Sequence, residues 1–231
     1  MKNVELNLCI EEAMSTIDVH YRFLNLGFFL NFLAKTVNFS RVFNGVQILT
    51  ETNEIYFLKI DLIRNMLEAI YQKPKEDTIL STLTLIHSVR GITMAIDEAL
   101  KNTDFKASMY NDIFNKDESK FSQFEGIVKF IRNVLSHNIM DKLELTGEEY
   151  SKQKDWWLKC KQTNEMRFTH DYTLPNSFLV LPAYKTQVSI TVKWSDVVPG
   201  VSFGKIVNTF QCLMLCEFCY NATSYLHNNY H

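Results

Sequence analysis

Apolar residues recur along this chain with two different periods, which separate helical regions from one β-rich region. Before about residue 143, and again after residue 202, they follow the three- and four-residue spacing of helices that bury one face. This spacing predicts one or two helices at 4–39 and further helices at 51–72, at 77 or 78 to about 100, at 117 or 119 to about 143, and at 202–227. Residues 101–117 read as a linker with one short helical turn.

From Glu165 the period becomes two, which indicates strands. Val188, Ile190, Val192 and Trp194 alternate with polar residues, and 166–172 and 177–181 are the expected antiparallel partners. A short polar helix is predicted within 147–162. We therefore expect one mainly α domain, an antiparallel helical bundle. A small antiparallel β-sheet module at about 147–200 would be inserted before the last helix.

Composition limits the classes of function. The chain has 231 residues, a formal net charge of −2 and a pI near 6.3, so it lacks the basic face that broad nucleic-acid coating requires. Any contact with nucleic acid must then be local to a cleft. Five cysteines and no secretory leader pattern predict a cytoplasmic protein without a disulfide framework. Phe23–Leu33 is too short to span a membrane, and because it is apolar on nearly all sides it should be buried.

The stretch with the clearest chemistry is 124–140. Its apolar positions form one stripe of a helix: Phe124, Ile127, Val128, Ile131, Val134 and Leu135. The opposite face carries Arg132, Asn133 and His137, with Arg132 and His137 roughly 140° apart around the helix. Gly126 shares the side of Asn133 and His137, which predicts that a partner helix approaches closely there.

These side chains suit cleavage of RNA without a metal ion. Histidine changes its protonation state near neutral pH, so His137 can serve as general acid or base. Arg132 offers a planar fork of donors to phosphate oxygens, and Asn133 can orient the ring or the phosphate. Ser136 and Lys129 are further candidate contacts to RNA. Because one helix supplies a single histidine, a twofold-related second copy is needed to provide both acid and base.

Arg132, Asn133 and His137 resemble the R-N-x-x-x-H form of the signature of HEPN domains. The resemblance implies a helical bundle, a homodimer formed through the motif helix, and metal-independent endoribonuclease activity of the toxin or defence kind. It implies no cofactor and no metal, and it makes an antitoxin protein a candidate partner. Ile139 stands where HEPN toxins modified by nucleotidyltransferases carry tyrosine, so this resemblance does not support control by adenylylation.

Two alternatives to an active ribonuclease remain open. The first is a catalytically inactive HEPN-like module that binds RNA or a nucleotide, and the second is a helical protein-interaction module. Two other motifs bear on the chemistry. Cys212, Cys216 and Cys219 have an iron–sulfur-like spacing, but on a helix they form one apolar stripe and are expected in the core. Trp156-Trp157 among lysines indicates either base stacking or, more often, a packed tryptophan pair under a solvated surface.

Overall fold

In a computed structural model the chain is described at residues 2–38, 47–49, 55–57, 60–74, 79–137, 143–171 and 187–230. Its helices are α1 (Lys2–Thr36), α2 (Ile60–Gln72), α3 (Ile79–Ala99), α4 (Thr103–Ser108), α5 (Glu118–His137), α6 (Ser151–Cys160), α7 (Phe203–Ile206) and α8 (Thr209–Tyr230). Its strands are β1 (Gln47–Leu49), β2 (Ile55–Phe57), β3 (Glu165–Asp171) and β4 (Gln187–Lys193). The prediction of a mainly α fold with a small antiparallel β insertion before the last helix is confirmed.

The chain divides into two compact units, with α1 and α3 each contributing to both. The larger unit combines Met1–Arg22 with Leu85–His231, and the smaller unit is Phe23–Thr84. Within the smaller unit β1 pairs antiparallel with β2. None of the helices in the described ranges has the length and apolarity that a membrane crossing requires.

An aromatic cluster forms the core of the larger unit. β3 and β4 pair antiparallel, with Phe168 opposite Ile190, and their buried residues alternate with exposed ones as predicted. Phe168 packs on Phe124 of α5 and on Phe218 of α8, with ring centroids 5.3 and 5.0 Å apart. Phe114 contacts the same three rings. The hairpin therefore closes the core between α5 and α8, and the expected strand at 177–181 lies outside the described residues.

Two predictions of secondary structure are wrong. Residues 55–57 form a strand rather than the start of a helix, because Ile55, Tyr56 and Phe57 are β-branched or aromatic and α2 begins at Ile60. Residues 101–117 contain α4 and then a π-helical turn at Met109–Ile113. Asn102 Oδ1 accepts hydrogen bonds from the amides of Asp104 and Phe105, both at 3.0 Å, which satisfies the first turn of α4.

The predicted last helix is interrupted near its start. α7 ends at Ile206, and α8 begins at Thr209 behind a reciprocal cap. The amide of Gln211 donates to Asn208 Oδ1, and the amide of Asn208 donates to Gln211 Oε1, both at 2.9 Å. Because each side chain satisfies the other residue's amide, this capping box fixes where α8 starts.

α1 is one continuous helix, but only part of its apolar second half is buried. Leu24, Asn31 and Ala34 are enclosed, and Gly27 lies so close to Thr84 that a Cβ at Gly27 would overlap the Thr84 side chain. Several large apolar side chains on the other side are exposed: Phe23, Leu26, Phe29, Leu30 and Phe32. The prediction that Phe23–Leu33 is buried is therefore wrong for these residues in a single chain.

Candidate functional site

One face of α5 lines a cleft of about 1450 Å³ in the larger unit. The helix begins behind Asp117, whose Oδ1 accepts a hydrogen bond from the amide of Lys120 at 3.0 Å, as predicted for a cap. The residues that α5 contributes recur every three or four positions: Glu118, Ser122, Glu125, Gly126, Lys129, Asn133 and His137. Helical periodicity thus places Asn133 and His137 one turn apart on the same wall.

The opposite wall is the segment that carries α6. It contributes Thr146, Gly147, Glu148, Glu149, Ser151, Lys152, Gln153, Trp156, Trp157 and Lys161, and Pro199 completes the lining. Sequence periodicity predicted α6 as a short helix but did not predict that it would lie beside α5. The lone glycine of α5 and Trp157 are the sequence features that meet at this contact, although the sequence predicted a second copy at Gly126.

Gly126 is the point at which α6 meets α5. A Cβ at Gly126 would lie 2.6 Å from Trp157 Cζ3 and 3.0 Å from Met166 Sδ, so a larger residue would displace the indole. Gln153 Nε2 donates to the Gly126 carbonyl at 2.8 Å. The close approach expected of a partner helix at Gly126 is therefore made by Trp157 of the same chain, and that part of the prediction is wrong.

Arg132 lies outside the cleft. Its Nε is 3.5 Å from Asp97 Oδ2 on α3, and its Nη1 donates to Asn133 Oδ1 at 2.9 Å. The Ser136 hydroxyl is enclosed as well, without a hydrogen-bond partner among the described residues, and Ser136 does not line the cleft. The structure therefore brings together three of the five candidate site residues, Lys129, Asn133 and His137, and directs Arg132 and Ser136 elsewhere.

His137 and Asn133 differ in how they are held. His137 is the last residue of α5, and its side chain is exposed at the cleft. Asn133 is half-buried, and because its Oδ1 already accepts from Arg132, its amide NH₂ remains the group that can donate to a ligand. Residues 138–142, over which the motif helix was predicted to continue, lie outside the described residues.

The two adjacent tryptophans have different surroundings. Trp157 is fully buried, and its Nε1 donates to Thr163 Oγ1 at 2.9 Å. Trp156 is 53% exposed and lines the cleft. Lys152 and Lys161 also line it, whereas Lys154 donates to the carbonyls of Trp194 and Val197. Trp157 is thus the packed residue, and Trp156 presents an aromatic surface beside two lysines.

The cleft carries both signs of charge. Its lysines are Lys129, Lys152 and Lys161, and its carboxylates are Glu118, Glu125, Glu148 and Glu149. Glu125 is ion-paired with Lys106, and Glu149 accepts from the Thr146 amide at 2.8 Å. A cleft of this composition suits a ligand with one or a few phosphates rather than a long polyanion.

The cysteine stripe on α8 is part of the core, as expected. Cys212, Cys216 and Cys219 are buried and unpaired in disulfides, and burial raises the pKa of the Cys212 thiol to about 12. Among the residues that the structure describes, no group of three or more His, Cys, Asp or Glu side chains is arranged to hold a metal ion.

Comparison of the chain with protein-family models, with curated proteins and with solved structures finds no match.

Proposed function

We propose that this chain is a HEPN-like, metal-independent endoribonuclease of the toxin or defence kind, and that the cleft between α5 and α6 receives a short single-stranded stretch of RNA. The observation that supports the proposal best is that one cleft contains His137, Asn133 and Trp156. Two lysines, Lys152 and Lys161, line the same cleft. An exposed indole stacks on any unpaired base, and lysines beside it pair with the neighbouring phosphates.

The proposed reaction is transesterification within the RNA. A general base takes the proton from a ribose 2′-OH, and the resulting oxygen attacks the adjacent phosphorus. The bond from phosphorus to the 5′-oxygen breaks, and a general acid protonates that leaving oxygen. The products carry 2′,3′-cyclic phosphate and 5′-hydroxyl ends. A neutral His137 in one copy and a protonated His137 in a second copy would supply base and acid.

Arg132 has an indirect role in this mechanism. Its guanidinium donates to Asn133 Oδ1, which leaves the Asn133 NH₂ to donate to the phosphate, and Lys129 is the cation that α5 contributes to the cleft lining. Arg132 itself would contact phosphate only after separating from Asp97. We therefore assign His137 as the catalytic residue, Asn133 as a phosphate donor and Arg132 as a positioning residue.

The decisive experiment measures cleavage of a labelled single-stranded RNA in the presence of a chelator. We expect His137→Ala to reduce the rate by about 10²–10⁴-fold, the usual contribution of a proton-transfer group. His227→Ala, on the last turn of α8 and outside the cleft, is the matched control and should cleave at the wild-type rate. Toxicity on expression that His137→Ala relieves would support the toxin assignment and justify a search for an antitoxin.

Binding is tested separately from cleavage. Trp156→Ala should weaken RNA binding by roughly 5–150-fold, since one stacked base contributes about 1–3 kcal/mol. Lys161→Ala should weaken it too, whereas Lys159→Ala, two residues away but not in the cleft lining, should not. If none of these variants changes RNA binding, the RNA proposal is wrong, and the cleft would suit a protein-interaction module.

A catalytically inactive RNA- or nucleotide-binding module is the second candidate function. The observation in its favour is the Arg132–Asp97 ion pair, which keeps the guanidinium outside the cleft. Binding of RNA that depends on Trp156 and Lys161, with no chelator-resistant cleavage by the wild-type protein, would select this alternative.

A further inference from the structure

An apolar seam lies on the exposed side of the second half of α1. Phe23, Leu26, Leu30 and Leu33 on the helix, and Val37 directly after it, follow one another at alternating steps of three and four residues. All of them are exposed except Leu33, which is half-buried. Alternating three- and four-residue steps are the spacing of positions a and d in a coiled coil, where each side chain inserts between residues of a facing helix. We name these five residues the α1 seam.

The exposed area of this face is large enough for an interface. Phe29 and Phe32, beside the seam, are 55% and 60% exposed. A phenylalanine side chain offers on the order of 200 Å², so the seam with its two flanking rings exposes roughly 600 Å² of apolar surface. Two such faces would bury on the order of 1,200 Å² together, which reaches the range of specific protein interfaces.

The lack of charge on this face of α1 favours another helix, rather than a membrane surface, as its binding partner. Between Arg22 and Lys35 there is no charged residue, whereas helices that lie on membrane surfaces carry lysine and arginine along the polar side. A seam with alternating steps is complementary to another helix with the same steps, and a second copy supplies one by twofold symmetry. Phe23–Leu33 also has the all-sided apolarity of a buried helix, and pairing would bury the side that a single chain leaves exposed.

We infer that the α1 seam is a homodimer interface, in which α1 of one copy packs along α1 of the other. This interface is separate from the contact between copies at His137 that the proposed ribonuclease mechanism needs, and it does not rest on the RNA function. Copies that met only at His137 would leave both seam variants dimeric with wild-type affinity, which separates the two contacts. It involves Leu26 and Leu30 at its centre, 53% and 43% exposed in a single chain.

The test is the oligomeric state of the full chain, measured by sedimentation velocity over a micromolar concentration series. The wild-type protein should be a dimer. The double variant Leu26→Glu/Leu30→Glu should raise the dimer dissociation constant at least ~100-fold, because it places charges in an apolar interface. Leu8→Glu is the matched control: Leu8 lies on the same helix, is 55% exposed and stands outside the seam, so this variant should remain dimeric.

A second variant addresses failure to fold. Leu26→Ala/Leu30→Ala introduces no charge, keeps good helix formers and should still raise the dissociation constant at least ~10-fold, with an unchanged circular dichroism spectrum. A monomeric wild-type protein, dimers of both double variants with wild-type affinity, or equal weakening by Leu8→Glu would each overturn the inference. So would a wild-type protein that stays monomeric but co-sediments with phosphatidylcholine vesicles.

Discussion

Arg132 and His137 show what residue spacing specifies and what it leaves open. Five positions on a helix separate two side chains by roughly 140°, so the pair was expected on opposite shoulders of one face, and Asn133 and His137 on the same side. The side of α5 that carries Asn133 and His137 lines the cleft. The partner of Arg132, however, is Asp97 on α3, and no local pattern pairs a guanidinium with a carboxylate on another helix. The site was therefore predictable around His137 and not around Arg132.

His170 is a residue whose environment predicts a pH effect. It lies on β3, and its ring packs on Phe218 with centroids 4.9 Å apart. Burial, with a smaller contribution from the charge of Lys120, lowers the pKa of His170 from 6.5 to about 4. Below pH 6.5 the unfolded chain therefore binds a proton that the folded chain does not bind until about pH 4, and stability falls as the pH falls through that window.

We expect the wild-type protein to lose roughly 1–2 kcal/mol of unfolding free energy through His170 between pH 7 and pH 5, after allowance for partial exposure of the ring. Urea denaturation at the two pH values measures this loss. His170→Leu has no proton to bind, so its unfolding free energy should depend less on pH by the same amount. An equal pH dependence in both proteins would show that His170 is not the titrating group.

At the scale of elements, the sequence predicted those that are long. α1, α3 and α5 carry enough turns for their period to be recognised, and the β3–β4 hairpin alternates over seven residues. The π-helical turn at Met109–Ile113 and the three-residue strand β2 are too short for a period to emerge. The position of α6 against α5 depends on a contact between distant segments, which periodicity within either one does not encode.

The contact between α5 and α6 gives a prediction about two glycines. Gly126→Ala should destabilise the protein by about 1–3 kcal/mol, because the new methyl group would overlap Trp157 and outweigh the gain in helix propensity. Gly204→Ala is the control, since its Cβ in α7 would have Ser202 Oγ at 3.9 Å as its nearest neighbour. That variant should be neutral or more stable by up to ~1 kcal/mol. Chemical denaturation of both variants measures the difference, and equal effects would contradict the packing argument.

At the scale of the whole molecule, the cysteine and tryptophan side chains that report on unfolding are distributed unevenly. All five cysteines and all three tryptophans lie in the larger unit, and none lies in Phe23–Thr84. The sequence predicted one domain, and the division into two compact units follows from contacts that composition does not reveal. Tryptophan fluorescence and thiol accessibility therefore report on the larger unit, whereas the helical signal in circular dichroism reports on both.

We expect one fast-reacting thiol in the folded protein. Cys160 is exposed, Cys9 is half-buried, and the three cysteines of α8 are buried with raised pKa values. A disulfide reagent should modify Cys160 first, and the α8 thiols should react only as the larger unit unfolds, together with the change in tryptophan fluorescence. Cys160→Ser should remove the fast phase, and a persistent fast phase in that variant would contradict the described burial.

The π-helical turn at Met109–Ile113 follows α4 directly and is one residue wider than an α-helical turn, because the Phe114 amide bonds to the Met109 carbonyl five positions back. Removing one residue there would leave the four-residue spacing of an α-helix and rotate Phe114 by about 100° relative to Phe105 and Met109. Phe105 and Met109, both fully enclosed, would then turn toward water, or Phe114 would leave its four aromatic neighbours. The number of residues in this segment is therefore as constrained as their identity, although the sequence alone predicts a linker there.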